Sequence, residues 1–297
     1  MTAHQPAPGL PAHAPKFAQP ARTSDTLVFV CTYNESGSIA TMLDRLLALK
    51  ARCDIVVIDD NSPDGTLDIV ARRAAEEPRV GALVRPRKLG LGSAHKLGWA
   101  HARRMGYTRI ATLDADLSHD PADVQRLLDQ LDAGADVAIG SRFLPGARLD
   151  YRGIRRFVSQ TANVLASMFL RMGLTEHTTS LRAARLDRVP VGLIESIKND
   201  GYSFQVACIA RLVRAGLTIK EIPIHFRDRH HGQSKISKRE AVYGMINLLS
   251  LAFDRRPSVV LPEPSSLECP VCARPYMVRR HSGELRCLAC FGSIEPS

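Results

Sequence analysis

The chain has 297 residues, with 40 Lys+Arg against 30 Asp+Glu for a formal net charge of +10, and it is 45% hydrophobic and 24% charged. These proportions exclude a collagen-like repeat, a wholly disordered chain and a coiled coil, and the length allows a core that buries about three quarters of the unfolded surface. No apolar run of about 18 residues and no basic-then-apolar leader occurs, so neither a membrane-spanning helix nor a secretory signal is expected.

Residues 1–24 are rich in Pro and Ala without apolar periodicity, the composition of a tail that buries no core. From Leu27 the pattern changes. Leu27–Cys31, Ile55–Ile58, Val80–Val84, Ile110–Leu113 and Val137–Gly140 are short apolar runs that read as buried strands. Between them, Ser38–Lys50, a segment ending at Ala75, Ser93–Met105 and Pro121–Leu131 have helical spacing, with Pro121 in a first turn where its missing N–H is not needed. Apolar strands alternating with helices predict a mostly parallel α/β sheet covered on both faces. Further helices are expected at Arg155–Met172 and Phe204–Ala215, and a strand at Thr218–Phe226 with Pro223 near a sheet edge. The basic loop Arg227–Lys235 follows. The helix Arg239–Phe253 then carries Val242, Met245, Ile246, Leu249 and Phe253 on one face, which suits either packing on its own domain or lying on a bilayer. A core domain of 25–254, a linker of 255–267 and a small module of 268–297 result.

Ligands of such sheets bind beyond the carboxyl ends of the strands. The polar clusters at those ends are Tyr33/Glu35, Asp59/Asp60, Asp114/Asp116 and Ser141/Arg142, so one rim collects several carboxylates and an arginine. Asp114-Ala115-Asp116 places two hard oxygen ligands on one turn, which suits Mg²⁺ or Mn²⁺ bound together with substrate phosphates. Lys88-Leu89-Gly90-Leu91-Gly92-Ser93 is a glycine-rich loop entering a helix and offers backbone N–H groups to an anion, but it is neither a Walker A loop nor a dinucleotide fingerprint. Arg142, Arg229 and Lys235 are placed to bind phosphate groups. The basic balance suits polyanionic partners, while 5% aromatic residues disfavours single-strand nucleic acid.

Seven cysteines, an odd number with four in the last 30 residues, point to a reducing compartment rather than a disulfide scaffold. Cys269-x-x-Cys272 and Cys287-x-x-Cys290, fourteen residues apart, have the spacing of a closed structural Zn²⁺ site, which would supply the folding energy of the small module.

Seven stretches in order resemble the inverting family 2 glycosyltransferases, and among them the dolichol-phosphate (polyprenol-monophosphate) mannosyltransferases. They are Thr32–Glu35, Val57–Thr66, Lys88–Ala94, Asp114–His119, Gly140–Phe143, Gly201–Gln205 and Asp228–Lys235. The resemblance implies a GT-A fold, Rossmann-like, followed here by the zinc-ribbon-like module. It implies that Thr32, Tyr33, Glu35, Asp60, Lys88, Asp114 and Ala115 bind the nucleotide sugar, that Asp114 and Asp116 hold the divalent ion, and that Asp116, Arg142, Arg229 and Lys235 form the catalytic set. The implied reaction moves a hexose, mannose from GDP-mannose, onto a polyprenyl phosphate at the cytoplasmic face of a membrane. The chain departs from the family at Cys31 (usually Pro), Glu176 (usually Asp), Ser180 (usually Gly) and Ala207 (often Glu). Another donor such as UDP-glucose, a soluble acceptor, or a non-catalytic adaptor that binds nucleic acid or protein through the zinc ribbon remain alternatives on the residues alone.

Overall fold

The computed structural model describes residues 20–150, 163, 172–198, 201, 203–228, 277–279, 285–288 and 293–294. Its centre is a seven-stranded sheet. In chain order the elements are β1 (Thr26–Thr32), α1 (Ile39–Leu47), β2 (Asp54–Asp59), α2 (Thr66–Glu76), β3 (Val80–Val84), α3 (Leu91–Arg104), β4 (Arg109–Asp114), α4 (Ala122–Asp132), β5 (Val137–Ser141), β6 (Arg148–Leu149), β7 (Arg182–Arg185), α5 (Ser203–Arg214), β8 (Ile219–Pro223) and β9 (His225–Phe226). The strand order is β3-β2-β1-β4-β7-β5-β8. All pairings are parallel except those of β7, which runs antiparallel between β4 and β5.

The apolar runs become central strands because both faces are covered. Leu27, Phe29, Val56 and Ile58 face a cluster with α3 and α5, including Leu97, Trp99, Phe204 and Ile209. Val28, Val30, Ile55 and Val57 face the opposite cluster with α1, α2 and α4, including Leu43, Val70 and Leu127. Each such side chain removed from water contributes about 1.5–3 kcal/mol, so the strands stay fixed while the loops at their ends vary.

Three elements, β7, β8 and β9, depart in detail from the pattern of the sequence. The strand expected at 218–226 divides after Pro223, which has no N–H to continue a ladder: β8 closes the sheet edge, and β9 turns away to pair with β6. β7 was not expected, because Arg182-Ala-Ala-Arg185 has neither alternation nor β-branched residues. Of the helix expected at 155–172, Asn163 is helical and buried, and most of the rest lies outside the described residues. Arg229, Lys235, the 239–253 helix, Cys269, Cys272 and Cys290 also lie outside them. In the C-terminal region β10 (Met277–Arg279), β11 (Leu285–Cys287) and β12 (Ser293–Ile294) form a small antiparallel sheet, with Cys287 buried.

Candidate active site

The sheet order sets β2, β1 and β4 side by side, so Asp59, Thr32 and Asp114 end on one rim. Each following loop contains a non-glycine residue in the left-handed region: Asn34 (φ 58°), Asn61 (φ 58°) and Leu117 (φ 60°). Asparagine tolerates this through local side-chain bonding, but Leu117 has no such relief, and its burial in the α4-side cluster offsets a cost of about 1–2 kcal/mol. Backbone strain of this kind, repeated at three neighbouring strand ends, points to a functional rim.

The first two loops are stitched together. Asn34 N donates to Ser62 Oγ (2.9 Å), Glu35 N to Thr66 Oγ1 (3.0 Å) and Ser36 N to Asp64 Oδ2 (2.9 Å). Asp59 serves this framework. Fully buried, it accepts from Thr32 Oγ1 (2.6 Å), Ser62 N (2.7 Å) and Ser62 Oγ (2.7 Å). Thr32, expected in the donor set, spends its hydroxyl bracing Asp59. Tyr33 and Glu35 are half-buried on the rim, and the exposed Lys88 places Nζ 4.9 Å from the Tyr33 ring centroid, a cation–π contact.

Asp60 points the other way and pairs with Arg85, the residue that follows β3 and is itself fully buried. Arg85 also donates through Nη1 to Ser93 Oγ (2.6 Å) and through Nη2 to Gly90 O (3.1 Å), while Leu89 N donates to Asp60 Oδ2 (3.2 Å). Burial pushes the Asp60 carboxyl above its usual range, against the opposing pull of Arg85. Sequence reading missed Arg85. Its one local signal is a charge placed directly after the apolar run Val80–Val84.

Asp114 ends β4 with a partly exposed side chain, and Asp116 is buried two residues on, with Oδ1 accepting from Ser118 N (3.0 Å). Ala115 between them is buried. Among the described residues no cluster of three or more His, Cys, Asp or Glu forms. A pair of carboxylates nevertheless fits an ion such as Mg²⁺, which is typically held by one or two carboxylates with substrate phosphates and water as its other ligands. His119 lies behind the turn, with Nδ1 3.7 Å from Asp114 Oδ2 and its ring edge-on to Phe226 at 4.9 Å. Burial lowers its pKa, so the imidazole is neutral. The segment after β8 is strapped across this turn: Arg227 N donates to Ser118 O (2.9 Å), and the Arg227 guanidinium pairs with Asp120 (2.9 Å). The basic loop expected to bind phosphates therefore starts from the Asp114–Ser118 turn itself.

Arg142, just beyond β5, reaches the same region. Its guanidinium stacks 5.2 Å from the Phe226 centroid and grips Glu176 in a fork, Nε to Oε2 at 2.7 Å and Nη2 to Oε1 at 3.0 Å. Glu176 is fully buried; burial raises its carboxyl, but Arg142 and the Thr178 N–H and hydroxyl outweigh that and hold it below the usual range. Glu221 of β8 fixes the loop by accepting from Thr175 N (2.9 Å), Thr175 Oγ1 (2.8 Å) and Glu176 N (3.0 Å). Antiparallel β7 is what delivers 175–180 to the rim. Of the other departures, Cys31 lies in β1 opposite Asp114, and burial raises its thiol well above the ordinary value, so it is no thiolate nucleophile. Ser180 is buried near the end of this loop, and Ala207 is buried in α5.

Residues 27–183 match glycosyl transferase family 2. The chain belongs to glycosyl transferase family 2. Within the family it is 38% identical over 226 residues to the polyprenol monophosphomannose synthase of Mycolicibacterium smegmatis, covering 74% of this chain and 85% of that one. It is 38% identical over 212 residues to the undecaprenyl-phosphate mannosyltransferase of Micrococcus luteus, covering 71% and 87%. The fold is similar to a mannosyltransferase of Pyrobaculum calidifontis solved with GDP-Man and Mn²⁺, with TM-score 0.52 and 17% identity over 86% of this chain and 69% of that one. A family 2 fold accounts for the rim: a parallel half supplies the strand-end loops, and the single reversed strand supplies the wall that holds Arg142. Among the described residues no helix is long and apolar enough to cross a membrane.

Proposed function

We propose that this protein transfers mannose from GDP-mannose to a polyprenyl phosphate, with inversion at the anomeric carbon. The observation that carries the proposal is the 38% identity, over most of both chains, to two relatives named for mannosyl transfer to polyprenyl phosphates. Tyr33, Glu35, Asp60 and Lys88 surround the nucleoside, with Thr32 bracing their loop. Asp114, Ala115 and Asp116 carry the diphosphate turn, where the two carboxylates would hold Mg²⁺ or Mn²⁺. Such an ion supplies neutralisation of the departing diphosphate. Arg142, with Arg229 and Lys235 of the basic loop, binds the phosphate of the acceptor.

No dedicated base is needed. The second pKa of a phosphate monoester is about 6, so the acceptor is already largely a dianion near neutrality. The work of the side chains is then to hold that oxygen in line behind the anomeric carbon and to stabilise charge on the leaving side. An α-linked donor attacked in line gives a β-linked product.

The transferase domain in this proposal is 25–254, joined by 255–267 to a module of 268–297 in which Cys269, Cys272, Cys287 and Cys290 hold one Zn²⁺. Support for the metal is the paired Cys-x-x-Cys spacing and the position of Cys287 at the end of β11. One zinc per purified chain by atomic emission is expected, and none would remove this part. The enzyme is placed peripherally on a cytoplasmic membrane face, where the acceptor headgroup lies.

The test incubates full-length protein with labelled GDP-mannose and undecaprenyl-phosphate liposomes, with and without Mn²⁺, beside a UDP-glucose arm. Label should pass into the lipid fraction from GDP-mannose only, depend on the divalent ion, and disappear in Asp116→Ala of unchanged circular dichroism. Transfer from UDP-glucose alone, or to no lipid, would overturn the proposal.

A further inference from the structure

We infer that Arg85 is a positioning residue for donor recognition, locking Asp60 and the Lys88–Ser93 loop into one preformed cradle for the nucleoside. The inference rests on the donor reading above. Arg85 has no accessible surface, and its charge is met by the carboxylate of Asp60, itself only 6% exposed. One face of the guanidinium fork holds Asp60 Oδ1; the other side reaches Ser93 Oγ (2.6 Å) and Gly90 O (3.1 Å). The Ser93 hydroxyl has a single proton and with it donates one hydrogen bond, to the carbonyl of Leu89 (2.8 Å) or Gly90 (2.7 Å). Leu89 N closes the ring on Asp60 Oδ2 (3.2 Å), and Arg85 N ties the base of the loop to Asp59 O (2.8 Å).

The network does more than fill space. Gly90 takes φ 95° at the entrance of α3, a conformation that costs other residues strain, and the arginine holds its carbonyl there. Lys88 stands one residue before the loop segment pinned by Leu89, and its ammonium spans back to the Tyr33 ring. The orientations of Asp60, Lys88 and, through Lys88, Tyr33 therefore depend on one buried side chain that itself stays out of reach of a ligand. A lysine could replace it only in part: one ammonium can keep the charge beside Asp60 but cannot serve acceptors on opposite sides in one plane as a guanidinium does. A buried ion pair is a poor source of net stability, since well-packed apolar residues often do as well, so its place directly beneath the rim argues for orientation of the site.

The test measures binding of GDP with Mn²⁺ and of GMP without metal to the full-length wild type, Arg85→Met, Arg85→Lys and Ser93→Ala, with kcat and donor KM for each. Arg85→Met should raise both Kd values by the same factor, about tenfold (about 1.4 kcal/mol). Donor KM should rise alongside, while kcat at saturating donor stays within about threefold, because the metal turn and Arg142 are untouched. Arg85→Lys should recover part of the loss. Should Arg85→Met fail to fold, Ser93→Ala, which removes one anchor and keeps the ion pair, should raise both Kd values severalfold. A merely structural arginine would instead lower Tm and leave both Kd values alone, and that result overturns the inference, as does a change confined to GDP with Mn²⁺. Wild type that binds neither nucleotide sinks the donor reading, and this inference with it; wild type that binds, with variants indistinguishable from it, sinks only the role of Arg85.

Discussion

Glu176 shows how a single methylene redistributes a site. The longer carboxylate meets the Arg142 guanidinium edge to edge, oxygen to nitrogen twice, while Thr178 N donates to its Oε1 at 2.8 Å. With Glu176 fully buried and Arg142 nearly so, removing one member strands the other, a change that costs about 3–5 kcal/mol. Glu176→Gln should therefore lower urea-unfolding stability by about that amount, since the amide turns a donor toward a guanidinium that can only donate. It should also reduce kcat and raise the acceptor KM of the proposed reaction, while binding of GDP-mannose, proposed at the ends of β1 and β2, stays within about twofold. Wild-type acceptor kinetics in a destabilised Glu176→Gln would show that Arg142 serves stability alone. The positions of Asp116 and Arg142 were legible from strand-end motifs. The partner of Arg142 was not, because 34 residues separate it from Glu176 and only the reversed strand brings them together.

The elements were legible where burial wrote a simple pattern. Five parallel strands had continuous apolar runs, and the helices between them had one apolar stripe each. β7 escaped because its side chains are small or charged: Ala183 and Ala184 leave room against the two clusters, and Arg182 is buried among α3 and α5. The split between β8 and β9 was half legible, since Pro223 announced an edge but not the turn toward β6. Gly98 on α3 carries a message that propensity inverts. In a free helix, alanine would be better than glycine by about 0.5–1 kcal/mol. Here a Cβ would lie 2.7 Å from Cδ2 and 2.8 Å from Cε2 of the Phe29 ring, because α3 approaches β1 through this gap. Gly98→Ala should destabilise the protein by about 1–3 kcal/mol, the usual cost of overpacking a core. Pairing it with Phe29→Leu should give a smaller loss than the sum of the two single changes, a coupling that denaturant titration of the four variants would read. Additive losses would mean that the helix shifts away instead of clashing.

For the molecule as a whole, the buried histidines work against acid stability. Burial, reinforced by the charges of Arg182 and Arg85, lowers the pKa of His95 to about 3; burial and Arg104 lower that of His101 to about 4. His95 is wedged between Phe29 and Phe204, its Nε2 3.0 Å from the Gln205 amide nitrogen, so protonating it would put a second cation beside Arg182 in an apolar layer. In the unfolded chain both imidazoles titrate near about 6.5. The depressed native values mean that their contribution is complete above that pH and is lost as pH falls toward the native values, because only the unfolded state takes up the protons. Each histidine should remove up to about 1.4 kcal/mol per pH unit below about 6.5. Asp60, Asp123 and Glu195 act in the opposite sense: burial raises their carboxyls, so the native state holds protons that the unfolded chain has already lost, and they recover stability as pH falls toward about 4. The two groups therefore pull stability in opposite directions as pH falls, and replacing one histidine isolates its share. In urea unfolding at pH 7, 6 and 5, the slope of stability against pH should be less positive in His95→Asn than in the wild type by up to about 1.4 kcal/mol per pH unit. The comparison is one of slopes, so it survives any loss of packing that the asparagine causes at pH 7. Equal slopes in the two proteins would mean that His95 takes up its proton in the native state as readily as in the unfolded one, and the buried neutral imidazole would have to be abandoned.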